Sequence, residues 1–325
     1  MKITMNKKSK IYVAGHRGMV GSAIIRLLKK RGYENIVTRT HKELDLTRQE
    51  QVEAFFEAEK PDYVFLAAAR VGGIMANSTA KAQFFYDNAM IALNVIHASY
   101  KSGVIKLMNL GSSCIFPKLA PQPLKEEYLL TGPLEETNDA YAVAKISAIK
   151  MCRFYNEQYG TNFLSVMPTN LYGMNDNFDL ETSHVFPAML RKIHQAKQSG
   201  GPVILWGDGS PLREFLYADD LADAVIFLME NIDWQGIGDF VNIGTGKDIS
   251  IKDLAYLMAD IIGYNGDFSW DTSKPNGTPR KLLDVSRINK IGWKAKTSLK
   301  DGIEKTYRWY CNNMENPDKY AELQK

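Results

Sequence analysis

The chain predicts an α/β fold, a doubly wound parallel sheet with a smaller, discontinuous domain beside it. Three observations carry that prediction. Short apolar runs of strand length alternate with longer helical segments through the first half. A glycine-marked turn joins the first run directly to the first helical segment. The alternation loosens after Gly173 and resumes briefly between about 215 and 246. Strands that alternate with helices imply parallel pairing with helices on both faces.

The strand-length runs are 11-IYVAG-15, 36-IVTR-39, 63-YVFLAAA-69, 104-VIKLMNLG-111 and 163-FLSVMPTN-170. Residues 22–32 read as the first helix. The stretch 47-TRQEQVEAFFEAEK-60 opens with Thr47 and Glu50, the spacing of a capping box, and predicts the next helix. Beyond Gly173, residues 173–184 read as a loop and 184-HVFPAMLRKIHQAK-197 as a helix. The stretch 203–220 mixes one strand with turns marked by glycine and proline. Residues 220–230 read as a helix, and 240-FVNIGTG-246 as a strand of the main sheet. The tail from Ile251 has two helical stretches around a turn-rich middle, 271–284. This reading puts 1–173 and about 215–246 in the sheet domain. It puts about 174–214 and 247–325 in a smaller substrate domain.

Composition narrows the function classes. The 325 residues are 45% hydrophobic and 24% charged, with a formal net charge of +3 and no long block of like charge. The segment 7-KKSK-10 is too short for a nucleic-acid arm. Cys114, Cys152 and Cys311 are odd in number and widely spaced, which fits neither a disulfide framework nor a zinc site. A reducing, cytoplasmic compartment is expected. The charged start, MKITMNKKSK, lacks an apolar core for a signal peptide, and no run approaches the ~20 apolar residues of a membrane span. No metal, nucleic acid or membrane is expected as a partner.

The turn 15-GHRGMVG-21 carries Gly15, Gly18 and Gly21 between a strand and a helix. Gly15 permits the tight turn, Gly18 lets backbone approach a pyrophosphate, and Gly21 lets the helix pack close to the strand. The helix N-terminus adds free N–H groups and a positive dipole end. The expectation is a Rossmann-type dinucleotide site built on Gly15, His16, Arg17, Gly18, Met19, Val20 and Gly21. A site for NAD usually has an acid at the end of the second strand to meet the ribose. Here Arg39 and Thr40 stand there, and Arg17 lies in the turn, so two guanidiniums favour a 2′-phosphate and NADP(H). Asp45 comes too late for the acid's place but could meet the adenine edge.

In 141-YAVAK-145, Tyr141 and Lys145 are four apart and share a helical face. An ammonium beside a phenol is expected to lower its pKa and let it pass a proton near neutral pH. About thirty residues earlier, 110-LGSSCIFP-117 ends a strand, which would place Ser112 over the cofactor crevice.

The glycine turn, the strand-end serine and the Y-x-x-x-K pair together resemble the extended short-chain dehydrogenase/reductase family. Further motifs, 67-AAARVGGI-74, 168-PTNLYG-173 and 276-NGTPRKLLD-284, resemble its members that act on nucleotide sugars. The resemblance implies a GDP-sugar substrate with a ketone at C4, epimerised at C3 and C5 and then reduced by NADPH. It implies that Tyr141 protonates the C4 oxygen, Lys145 holds the nicotinamide ribose, and Ser112 stabilises the enediolate charge. Cys114 would remove protons as a thiolate if positive charge lies near. His184, in SHVFP, would return protons from the opposite face. Cofactor contacts would extend to Leu46, Ala68, Leu110, Gly111, Ser113, Pro168, Thr169, Asn170 and Leu171. The GDP end would use Lys192, Trp206, Arg213, Asn276 and Arg280, with Arg191 a further candidate. His41, His97 and His194 are expected to do no chemistry, and Cys152 and Cys311 to be packing. A homodimer is expected, through the segment 79–90 and the YAVAK helix. A related 4,6-dehydratase would carry an Asp-Glu pair where Cys114 and Ile115 stand. A 4-epimerase with bound NAD would need neither Cys114 nor His184, and a dinucleotide sensor would need no catalytic side chains.

Overall fold

The computed structural model describes residues 5–274 and 276–314. In chain order the elements are β1 (Ile11–Ala14), α1 (Met19–Lys30), β2 (Ile36–Val37), α2 (Gln49–Glu59), β3 (Tyr63–Leu66), α3 (Ile74–Thr79), α4 (Lys81–Lys101), β4 (Lys106–Leu110), α5 (Asp139–Tyr159) and β5 (Phe163–Pro168). They continue with β6 (Asn170–Tyr172), α6 (Val185–Ser199), β7 (Val203–Trp206), β8 (Leu212–Tyr217), α7 (Ala218–Asn231), β9 (Val241–Ile243), β10 (Asp248–Ser250) and α8 (Ile251–Ile262). The last are β11 (Phe268–Asp271), β12 (Arg280–Lys281), α9 (Ser286–Ile291) and α10 (Leu299–Met314).

The main sheet has six parallel strands in the order β2-β1-β3-β4-β5-β9. Alternate residues of each strand face opposite cores, as the two-residue strand period requires. Ile11, Val13, Tyr63, Phe65, Met108 and Leu110 pack under α1 and α7. Tyr12, Ala14, Val64, Leu66 and Leu107 pack under α2, α4 and α5. Helices therefore cover both faces, as the alternating runs predict. The strand order reverses beside β1, so a crevice opens at the carboxyl ends of β1 and β3.

A third core joins α6, α8 and α10 to β7 and β8. Here the expectation of one strand in 203–220 is corrected to two. The run 212-LREFLY-217 is a strand despite its adjacent charges, and it centres a small sheet with β10, β12 and β6. Its Glu214 is wholly buried, and its carboxylate accepts from the N–H groups of Thr245, Gly246 and Leu283 at 2.6–2.9 Å. Such bonds offset the cost of burying a charge. After β8 the chain returns to the main sheet through α7 and β9.

The capping box is also corrected. Helix α2 starts at Gln49 with Arg48 as cap and no side-chain cap bond. The Thr47 hydroxyl instead donates to Asp45 at 2.7 Å. A short polar turn before the helix has taken the capping hydroxyl.

Candidate active site

The glycine turn is built as a cradle. Gly15 has φ +78°, and a Cβ there would lie 2.7 Å from the Ala68 backbone, so the ends of β1 and β3 meet closely. Helix α1 begins at Met19, earlier than the sequence suggests, which puts Gly21 in its first turn. A Cβ at Gly21 would strike the Gly15 carbonyl at 2.1 Å. Gly18 caps α1 without a side chain, and a Cβ there would meet the Gly15 carbonyl oxygen at an ordinary 3.5 Å. The first N–H groups of α1 are therefore free for an anion, and the residues present fit a dinucleotide pyrophosphate.

At the far corner of the turn, Glu43 feels the charges of Arg39 and Arg17, and His16 feels Arg17. The Arg39 side chain is partly engaged: it donates to the Thr38 carbonyl at 2.8 Å and pairs with Glu59. Arg17 is exposed. Asp45 accepts from Thr47, and buried Leu46 gives its carbonyl to Asn94 at 2.9 Å. Thr169 is buried, and Asn170 donates to the Glu214 carbonyl at 2.8 Å, which fixes the turn after β5 against β8.

Beyond β4 the chain makes one short turn of 3₁₀ helix, Ser113–Ile115, under α5. Helix α5 carries Tyr141 in its first turn and Lys145 one turn on. Lys145 is buried and its Nζ donates to the Leu110 carbonyl at 2.9 Å, 5.6 Å from the Tyr141 ring centroid. Burial pulls the Lys145 ammonium down to about 8, partly opposed by Cys114. The phenol of Tyr141 is raised, not lowered as the spacing suggests: burial dominates, the neighbouring Cys114 adds to it, and a hydrogen bond with Ser112 opposes. A helical spacing places two groups on one face but says nothing of how much water they keep.

The Cys114 thiol is buried and also raised, first by burial. Its hydrogen bond with Ser112 and the charges of Lys281 and Lys145 pull it back. One hydroxyl, on Ser112, thus serves both the thiol and the phenol. His184 caps α6 and is open on one side. Protein crowds its other sides, and that desolvation, with the Lys281 charge, lowers its pKa. The loop before His184 is tied to the β3–α4 connection, where the Gly73 N–H donates to the Thr182 carbonyl at 3.0 Å.

Lys281 is the residue that sequence reasoning missed. It acts on both Cys114 and His184. The motif 276-NGTPRKLLD-284 contains it, but its neighbours Asn276 and Arg280 drew the expectation. Arg280 is instead tied to Asp248, with Nε 2.5 Å from the carboxylate. Asn276 accepts from the Asp208 N–H at 2.9 Å. Lys192 donates to the Ile204 carbonyl at 2.9 Å, and Arg191 to that of Phe178 at 3.0 Å. Trp206 is 54% exposed, an open ring on the rim near Lys274. Arg213 is desolvated, which lowers its pKa, and it pairs in register with Lys281. Of the other groups, His97 bonds Tyr155, His194 bonds Tyr307, and Cys152 lies in the core near Ser165.

A pyrophosphate cradle at a switch point, with a proton-transfer cluster at the next strand end, defines a dinucleotide-binding α/β protein built for acid–base chemistry. The chain belongs to the NAD dependent epimerase/dehydratase family, whose model matches residues 11–244. It is 55% identical to GDP-L-fucose synthase 1 of Arabidopsis thaliana, over 96% of each chain. It is 51% identical to GDP-L-fucose synthase of Escherichia coli (strain K12), over 95% of this chain and 98% of that one. Among solved structures, a GDP-mannoheptose C4 reductase from Campylobacter jejuni with NADP bound superposes with TM-score 0.89 at 44% identity, covering 94% of this chain and 99% of that one.

Proposed function

We propose that this chain converts GDP-4-keto-6-deoxy-D-mannose to GDP-L-fucose, by epimerisation at C3 and C5 through an enediolate and then reduction at C4. The observation that carries the reading is the single Ser112 hydroxyl shared by the Cys114 thiol and the Tyr141 phenol, beside the dinucleotide cradle. The names of the Arabidopsis and E. coli relatives support it. NADPH, when bound, supplies the hydride for C4. Gly15 to Gly21 hold its pyrophosphate, and Arg17 and Arg39 take the 2′-phosphate.

The chain's own residues divide the proton work. Protons at C3 and C5 are acidic because they lie α to the ketone. Cys114 removes them as a thiolate. The charge that develops on the C4 oxygen is met by Ser112, as an oxyanion hole would meet it. His184 returns protons from the other face. After reduction Tyr141 gives its proton to the C4 oxygen, and its raised pKa keeps that proton in place until then. Lys145 orients the ribose. Arg213, Lys192, Trp206 and the Asn276 loop hold the GDP end.

In this reading 1–173 with about 215–246 carry the dinucleotide, and 174–214 with 247–325 carry the GDP-sugar. The enzyme works as a homodimer in the reducing cytoplasm. Exposed Phe85, Tyr86 and Leu93 on α4, with Val143 and Phe154 on α5, support that dimer face. Among the described residues, no helix is long and apolar enough to cross a membrane.

A second reading, C4 reduction alone, is favoured by one fact: burial raises the Cys114 thiol and works against a thiolate base. The two readings separate on incubating the chain with NADPH and the 4-keto sugar nucleotide. Consumption of NADPH with a product inverted at C3 and C5 is expected. Consumption without inversion favours reduction alone, and unchanged NADPH absorbance removes both.

A further inference from the structure

The site described above leaves one half-buried cation without a stated task. Lys281 closes β12 and pairs in parallel register with Arg213 of β8. The main chain that follows it is fastened on two sides. Leu283 N–H donates to Glu214 at 2.9 Å, and Leu282 N–H donates to the Gln122 side chain at 2.9 Å. The N–H of Leu124 donates to the Leu282 carbonyl at 2.7 Å, and that of Asp284 to the Leu124 carbonyl at 2.8 Å. Residues 122–124 belong to the stretch that runs on from Cys114, so the two segments are held at a fixed spacing.

Lys281 and Cys114 line the same small cavity, with Ser113, Glu135 and Thr278. Two other cations on its wall are spoken for: Lys118 pairs with Glu135 at 3.1 Å, and Arg280 pairs with Asp248. Among the described residues, the Lys281 ammonium makes no hydrogen bond and no ion pair. A desolvated, unpaired ammonium is costly, and an anion beside it relieves the cost. The groups whose charge it senses are Cys114, Arg213 and Glu135, and it acts in turn on His184. Glu135 already faces Lys118. The sulfur is the remaining partner able to carry negative charge.

We propose that Lys281 is a positioning residue for the epimerisation, holding the Cys114 sulfur as a thiolate across their shared cavity. This rests on the function proposed above. In the step, the sulfur's lone pair forms the S–H bond as the C3–H or C5–H bond breaks. The electron pair of that bond passes into the enediolate, so one negative charge moves from sulfur to the C4 oxygen. Lys281 keeps its proton throughout, and its charge stays near both ends of that movement. Ser112, Lys145 and Tyr141 face the same sulfur. Lys145 also acts on the sulfur, with its Nζ donating to the Leu110 carbonyl.

The test is iodoacetamide alkylation of Cys114 in the ligand-free chain, followed by mass spectrometry of its peptide across pH. Buried Cys152 serves as the internal reference. Lys281→Met is expected to move the Cys114 midpoint up by about one pH unit, slowing alkylation near pH 7 by about tenfold. Lys281→Arg should keep the wild-type midpoint. Lys281→Gln stands in if the methionine variant does not fold. An unmoved midpoint in the neutral variants overturns the proposal, whether or not the enzyme epimerises. A wild-type chain that exchanges no deuterium at C3 or C5 instead overturns the epimerase reading on which the step depends.

Discussion

Burial and charge pull the Cys114 sulfur in opposite directions, and the outcome sets its chemistry. Burial raises the thiol; Ser112, Lys281 and Lys145 oppose it. Cys114→Ser should abolish deuterium wash-in at C3 and C5, by about a hundredfold or more, while NADPH affinity stays unchanged. Wash-in at the wild-type rate, read by mass spectrometry, would remove the thiol from the mechanism. Lys145 gives a second prediction. Its pKa is lowered to about 8 from the ordinary lysine value, so the ammonium is present below that pH and lost above it. The KM for NADPH should therefore rise as pH climbs through about 8, and Lys145→Met should show the high KM at every pH. At this scale the sequence was readable where residues sit close along the chain. Tyr141 and Lys145 share a helical turn, and Ser112 and Cys114 share a strand end. Lys281 was not readable, because only the pairing of β12 with β8 brings that turn-rich tail to the thiol. The direction of the Tyr141 shift was also hidden, since burial belongs to the folded chain.

Elements position these groups through glycine contacts that leave no room for a side chain. The β3–α4 connection meets the loop before His184 at Gly73, where a Cβ would lie 2.9 Å from the Ser183 carbonyl. Its φ of −66° allows alanine, so only the contact opposes one. Gly73→Ala should displace the His184 loop and lower epimerisation by about tenfold, with NADPH binding unaffected. Equal loss of cofactor affinity would show that the effect is not local. The strands and helices of the main sheet were legible because their apolar periods agree with their burial. The strand 212–217 was not, because a buried glutamate within it looks like a surface residue until its N–H donors are known. The start of α2 failed for a similar reason: Thr47 is a good cap by type, but Asp45 holds its hydroxyl.

Across the whole molecule, the doubly wound sheet holds the cradle, and the separate core centred on α6 and α8 carries Arg191, Lys192 and the His184 cap. The same architecture leaves apolar side chains uncovered on α4 and α5. Phe154 and Tyr86 are 55% and 53% exposed. Burying such rings between two copies is favourable at roughly 25 cal/mol per Å² of apolar area. Light scattering should give the mass of two chains, and Phe154→Glu should shift it toward one. A monomeric wild-type chain would contradict the dimer. This surface could not be read from one sequence, since exposed apolar residues become visible only once the helices are placed.

The most direct test of the account is deuterium wash-in during turnover. The chain is incubated in heavy water with NADPH and GDP-4-keto-6-deoxy-D-mannose, and the product is read by mass spectrometry and proton NMR. The account predicts solvent deuterium at both C3 and C5 of a GDP-L-fucose product. A reduced product with neither carbon labelled would contradict it.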